Sequence, residues 1–247
     1  DASGNGNHGT VNGGATLTAD RHGNANSAYS FDGANDYIES TNLLQNYETG
    51  TISAWFKTSG SPTTVDWGIV AKPRLTSESG LALAVRKTGE FNAHLNNDNG
   101  SAGFVNLSLT STTSATDGQW HHIAVTTGGG KVTLYANGVE QVSAAYTPNG
   151  ISSSQLIQIG RELLMAGSGG RYFTGSIDEV RIYNRILSGT EIANMAVQLG
   201  RLGAIALNST DIVYFVETEL DALQNPIGSR IRRIETNGTI TTVAGGG

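Results

Sequence analysis

The chain has 247 residues, of which 33 are glycine, 4 are proline and none is cysteine, and its formal net charge is −6 with 15% charged residues. The lack of thiols excludes disulfides, thiolate metal ligands and thiol nucleophiles together. Basic residues are scattered apart from Arg230, Arg232 and Arg233, which leaves no electrostatic footprint for nucleic acid. Short apolar runs alternate with Ser, Thr, Asn and Gly, which favours a turn-rich all-β sandwich over a helical or disordered chain. The sequence shows neither a signal peptide nor a membrane-inserting run.

Residues 1–14 read as a polar loop. Asp1, Ser3 and Asn5 stand at alternate positions with Gly6 next, as in the first half of an oxygen-ligand calcium loop, and Asn7 joins the same candidate metal set. Position twelve is Asn12 rather than a bidentate Glu, so a carboxylate from elsewhere is needed. The alternative is a plain Gly/Asn turn. Ala28–Phe31 and Tyr37–Ser40 follow as short strands around Asp32–Asp36, whose carboxylates suit turn capping.

Thr51–Thr58 alternates Ile52, Ala54 and Phe56 on one face with Trp55 on the other, and reads as an inner strand with both faces buried. Trp67 falls in a loop-like segment, Pro62–Gly68, ahead of the strand Ile69–Lys72. There its ring either stacks on a sugar at a rim or folds back onto the core. Leu81–Arg86 and Phe91–Leu95 are strands, and Asn96–Gly100 reverses the chain into Phe104–Leu109. Asn97, Asp98 and Asn99 form a candidate polar ligand rim, with an ordinary Asn-Gly hairpin turn as the alternative.

Gly118–Gln141 is the most regular stretch. Alternation over His121–Thr127 and Lys131–Ala136, broken by three glycines and closed by Asn137-Gly138, predicts three successive antiparallel strands. His121 and His122 then point to opposite faces and cannot chelate one ion. Leu156–Gly160 is another short strand, followed by a glycine-containing loop over 161–170. In Gly175–Asn184 strict alternation places Asp178 beside Val180 and Ile182, a carboxylate on an apolar face that demands a partner. Ser188 and Glu191 form a capping box for a helix over Ser188–Leu199. Ala204–Leu207, Ile212–Val216, Ser229–Glu235 and Thr239–Ala244 are four further strand candidates.

The sequence W-H-H-I-A-V-T…K-V-T-L-Y-A-N-G resembles the signature of LamG-like (laminin-G, concanavalin A-type) jelly rolls. DASGNGNHG…YSFDG at the start and GSIDEVRIYNRILS near residue 180 resemble the opening and closing stretches of bacterial members. The resemblance implies a two-sheet antiparallel jelly-roll sandwich over 1–197 with a short C-terminal helix. It also implies that Asp178 helps hold a structural calcium beside the opening loop, supplying the partner that Asp1 lacks. The stretch R-I-R-R-I…N-G-T-I-T-T-V-A-G resembles one NHL-type β-propeller repeat, so 198–247 is expected to be a blade fragment or an appended β segment.

Catalysis is not expected. Asp178 and Glu179 are sequential and face opposite sides, no clustered E-x-D-x-E or similar run exists, and there is no nucleophile elbow, phosphate loop or zinc signature. The resemblance implies a secreted or cell-surface bacterial binding module that recognises a glycan or a surface protein and belongs to a longer multidomain chain. The alternative is a spacer domain that makes protein contacts only.

Overall fold

The computed structural model describes residues 3–41, 43–44, 48–62, 65–73, 80–98, 104–146, 154–162 and 170–196, and four strands beyond residue 200. In chain order the strands are β1 (Thr10–Asn12), β2 (Thr16–Thr18), β3 (Ala28–Asp32), β4 (Tyr37–Glu39), β5 (Gly50–Lys57), β6 (Trp67–Lys72), β7 (Gly80–Val85) and β8 (Glu90–Asp98). They continue with β9 (Phe104–Ser114), β10 (Trp120–Gly128), β11 (Lys131–Ala136), β12 (Val139–Ala145), β13 (Gln158–Ile159), β14 (Arg161–Glu162), β15 (Arg171–Tyr172) and β16 (Thr174–Tyr183). Helix α1 (Gly189–Ala196) follows, then β17 (Ile205–Leu207), β18 (Val213–Leu220), β19 (Pro226–Ile234) and β20 (Ile240–Gly245). The chain divides into two compact units, Asp1–Ala196 and Val197–Gly247.

The first unit is an all-β jelly-roll sandwich of two seven-stranded antiparallel sheets. The first sheet has the order β1-β4-β13-β6-β7-β8-β9 and the second β12-β11-β10-β5-β16-β3-β2. Alternation sends Ile52, Ala54 and Phe56 from β5, Ile123 and Val125 from β10, and Leu83, Phe91 and Leu95 from the first sheet into one shared core. Phe56 meets Phe91 and Phe173 edge-on, with ring centroids 5.5 and 6.1 Å apart.

The predicted meander forms as β10, β11 and β12, in register from Ile123 opposite Ala136 to Gly128 opposite Lys131. Asn137 and Gly138 have φ of 49° and 81°, the paired left-handed conformation of a tight hairpin turn. The Asn137 side chain ties that turn back to the strand before it. Its Oδ1 accepts the His122 N–H at 2.9 Å, and its amide lies 3.1 Å from His121 Nδ1. His121 Nε2 is 2.8 Å from Asp117 Oδ1, so the ring bridges two turns. As predicted, the two histidines face opposite ways: His121 packs on Phe56 and Phe91 inside, and His122 packs on Trp55 outside.

Helix α1 begins at the expected capping box. Ser188 Oγ accepts the Glu191 N–H at 3.2 Å, and Glu191 Oε2 accepts the Ser188 N–H at 2.8 Å. The helix lies on the outer face of the second sheet, where Ile192 and Leu187 bury Ala124 and Tyr135. In the second unit β17 to β20 form a four-stranded antiparallel sheet in sequential order, on the four strand positions read from the sequence.

Candidate functional site

The outer face of the first sheet presents polar side chains in rows. Register places Ala84, Asn92 and Thr110 side by side on β7, β8 and β9, with Ala82, His94 and Ser108 in the next row. Asn92 Nδ2 donates to Ser108 Oγ at 3.0 Å and to Thr110 Oγ1 at 2.8 Å, and Arg86 Nη1 reaches the same Thr110 oxygen at 3.1 Å. The small residues of β6 and β7 and the Asn92 amide are buried beneath this face, where Ser108 is exposed and His94 and Thr110 are half-buried. Such a surface matches the alternating donors and acceptors of a sugar ring.

A second cluster borders this floor. His94 Nε2 lies 3.0 Å from Asp66 Oδ2, and Asp66 Oδ1 accepts the Lys87 N–H at 3.1 Å. Burial opposes ionisation of Asp66, yet the His94 ring and the Lys87 N–H hold its carboxyl below the ordinary value. β14 crosses this face over Gly68, where a Cβ would stand 2.5 Å from the Glu162 nitrogen, so only glycine permits the crossing. Burial pushes the Glu162 carboxyl up, against the pull of His94 and Arg171, and Arg171 Nη1 stands 3.5 Å away. With its side chain 4% exposed, Glu162 is out of reach of a substrate. Farther along, the Arg161 guanidinium sits 3.5 Å over the Tyr37 ring and donates to Gln158.

The ligand residues proposed from sequence lie elsewhere or only partly here. Trp67 is not on a loop. It is the first residue of β6, opposite Val85, and its half-buried ring turns inward against Phe173 with centroids 6.2 Å apart. Asn97 and Asp98 are not turn residues either, because β8 continues through both, opposite Val105 and Phe104. Asn99 lies outside the described residues. Sequence reasoning missed Asn92, Ser108 and Thr110, although the polar/apolar alternation of Phe104–Ser111 contains the signal.

The face expected for Asp178 is corrected by a β-bulge. Between Asp178 and Arg181 the register of β16 on β5 slips, with Glu179 at φ 44°. Ile177 before the slip and Val180 and Ile182 after it all face the core, so Asp178 shares the opposite face with Trp55. There Asp178 Oδ2 pairs with Arg21 Nη1 at 3.4 Å and Oδ1 accepts the Glu179 N–H at 2.7 Å. Arg21 also reaches Glu179 at 3.0 Å and stacks 4.7 Å over Trp55. Burial still raises the Asp178 carboxyl, over the opposing pull of that N–H and of Arg21.

The other proposed ligands are engaged separately. Ser3 Oγ accepts the Asn5 N–H at 3.2 Å, Asn7 Oδ1 accepts the Thr41 hydroxyl at 3.0 Å, and Asp1 lies outside the described residues. Ser3 and Asn7 border a cavity of about 440 Å³ against Ile38, Ile157 and the Val180–Tyr183 end of β16, and no carboxylate is among its described lining. Asp178 is not part of this lining, and among the described residues no three His, Cys, Asp or Glu side chains gather to hold a metal. Among the described residues Ser3, Asn7 and Asp178 are held by separate partners and bring no carboxylate to the opening loop. Arg21 supplies the positive charge that the ion was expected to bring.

A sequence profile of the concanavalin A-like lectin/glucanases superfamily matches residues 32–193. No curated protein matches the chain. Among solved structures, domain 4 of AbnA, a GH43 extracellular arabinanase from Geobacillus stearothermophilus in complex with arabinotriose, is similar with TM-score 0.61 at 20% identity, over 80% of this chain and 92% of that one. The CBM40 of a Ruminococcus gnavus IT-sialidase is similar with TM-score 0.54 at 15% identity, over 70% of this chain and 97% of that one. A heptameric SAP-like pentraxin from Limulus polyphemus gives TM-score 0.54 at 18% identity, over 70% of this chain and 82% of that one. Identities this low carry the fold alone.

Proposed function

Because the chain belongs to the concanavalin A-like lectin/glucanases superfamily, we propose that its first unit is a non-catalytic module that binds glycans through the outer face of the first sheet. The observation that carries this reading is the group of His94, Ser108 and Thr110 on one β surface, with the buried Asn92 amide holding the two hydroxyls from beneath. The arabinanase domain in complex with arabinotriose supports it. A secreted or cell-surface bacterial protein suits such a module. Hydrolysis needs two carboxylates flanking an open cleft. On this face Glu162 is enclosed beside Arg171, and Asp66 is tied to His94 and Lys87, which supports binding without catalysis.

No described cation site is required by this reading. The four-stranded meander of β17 to β20 supports a single NHL-type blade as a protein-contact element, and hence membership of a longer multidomain protein. A glycan array probed with the full chain and with Ser108→Arg tests the proposal. Binding that is lost in the variant is expected. A blank array together with capture of a surface protein would replace this reading with a protein-contact spacer.

A further inference from the structure

We infer that the glycan bound on this face carries a carboxylate, and that Arg86 is the residue that receives it. The inference rests on the glycan-binding reading above and adds the chemical class of the ligand. Side chains are described for six arginines, and five of them are in ion pairs: Arg21 with Asp178 and Glu179, Arg161 with Glu39, Arg171 with Glu162, Arg181 with Glu179, and Arg185 with Glu191. Arg86 alone has no described carboxylate within ion-pair distance. Its Nη1 donates to Thr110 Oγ1 at 3.1 Å, and its Nε is enclosed without an acceptor. A guanidinium has five donors in a fixed fork. Here one neutral hydroxyl engages it.

The nearby carboxylates do not pair with Arg86: Asp66 is held by His94 and the Lys87 N–H, and Glu90 by the Thr88 hydroxyl. Lys87, next in sequence and exposed, adds a second cation without a described ion pair at the same β7–β8 turn. The guanidinium fork matches a planar carboxylate bidentately, which a sugar hydroxyl cannot do. From that anchor Ser108 and His94, on the same face, would take the ring hydroxyls of a uronic or sialic acid.

Two matched probe pairs test this with the full chain by titration calorimetry: oligogalacturonate against its methyl ester, and sialyllactose against lactose. At least one acidic probe is expected to bind ten-fold or more tightly than its neutral counterpart and to weaken with added salt. Arg86→Gln should erase that preference and Arg86→Lys should keep part of it, with both variants melting close to the parent. Equal affinity for acidic and neutral members, or binding to neither pair while an array shows neutral glycans bound, overturns the inference and leaves the glycan-binding reading intact. Binding to sulfated glycans but to neither acidic probe overturns the carboxylate assignment. A blank array overturns both.

Discussion

Arg21 Nη1 stands 3.4 Å from Asp178 Oδ2, an ion pair that joins the loop after β2 to the bulge of β16 with both side chains less than a tenth exposed. The guanidinium also covers the Trp55 ring. One cation thus pairs with two carboxylates and covers an indole, while Arg181 also pairs with Glu179. Removing it strands charge in a closed site, whereas removing one acid leaves Arg21 a remaining partner in Glu179.

Arg21→Met is therefore expected to cost roughly 3 kcal/mol of stability, by analogy with broken buried pairs. Asp178→Asn keeps an acceptor for the Glu179 N–H and should cost about 1–2 kcal/mol. Chemical denaturation measures both. Because Arg21 occupies the cationic role, EDTA and millimolar calcium should leave the parent transition unchanged, and a calcium-dependent rise in midpoint would count against this account.

His122 is 1% exposed against Trp55, and burial, with Arg21 and Arg181 nearby, lowers its pKa to about 4. The ring is neutral in the fold but titrates near 6.5 when unfolded. The unfolded chain then binds more protons between those values, so stability is fully present above about pH 6.5 and falls as pH drops toward 4. The slope is at most about 1.4 kcal/mol per pH unit. His122→Phe should flatten a stability profile measured across that window.

Glu162 gives the opposite sign. Its folded pKa is raised above the unfolded value, so its contribution is present below the unfolded pKa and is lost as pH rises through the folded one. Glu162→Gln should remove this loss, so that the variant gains on the parent as pH climbs from acid toward neutral in the same denaturation series.

Gly138 combines φ +81° with a virtual Cβ 2.9 Å from Ala193 Cα in helix α1. Gly138→Ala forces a left-handed alanine against a helix backbone and should cost about 1–3 kcal/mol. Amide exchange should show α1 loosening along with the turn.

The meander, the core face of β5, the capping box and the four late strands were legible in the sequence because each rests on local periodicity or turn chemistry. The face of Asp178 was not. Strict alternation assigned it beside Val180 and Ile182, but an inserted residue at Glu179 reversed the side, and nothing in the local pattern marks a bulge in which the extra residue is glutamate. Trp67 was misplaced for a related reason. Pro62 and Gly68 made its segment look like a loop, while its pairing with Val85 comes from a strand that lies later in the chain. The polar face itself was visible in the alternation of β9, yet its meaning depends on which neighbours β7 and β8 bring to it, and those contacts are tertiary.

The bulge at Glu179 also fixes what this strand can tolerate over evolutionary time. Beyond it, even and odd positions have exchanged sides, so excising the extra residue would restore plain alternation with Arg181 still outside and Ile182 still inside, whereas a second insertion with no further bulge would send Arg181 into the hydrocarbon interior and Ile182 out to water. The strand can therefore shorten by one residue at that point more readily than it can lengthen by one.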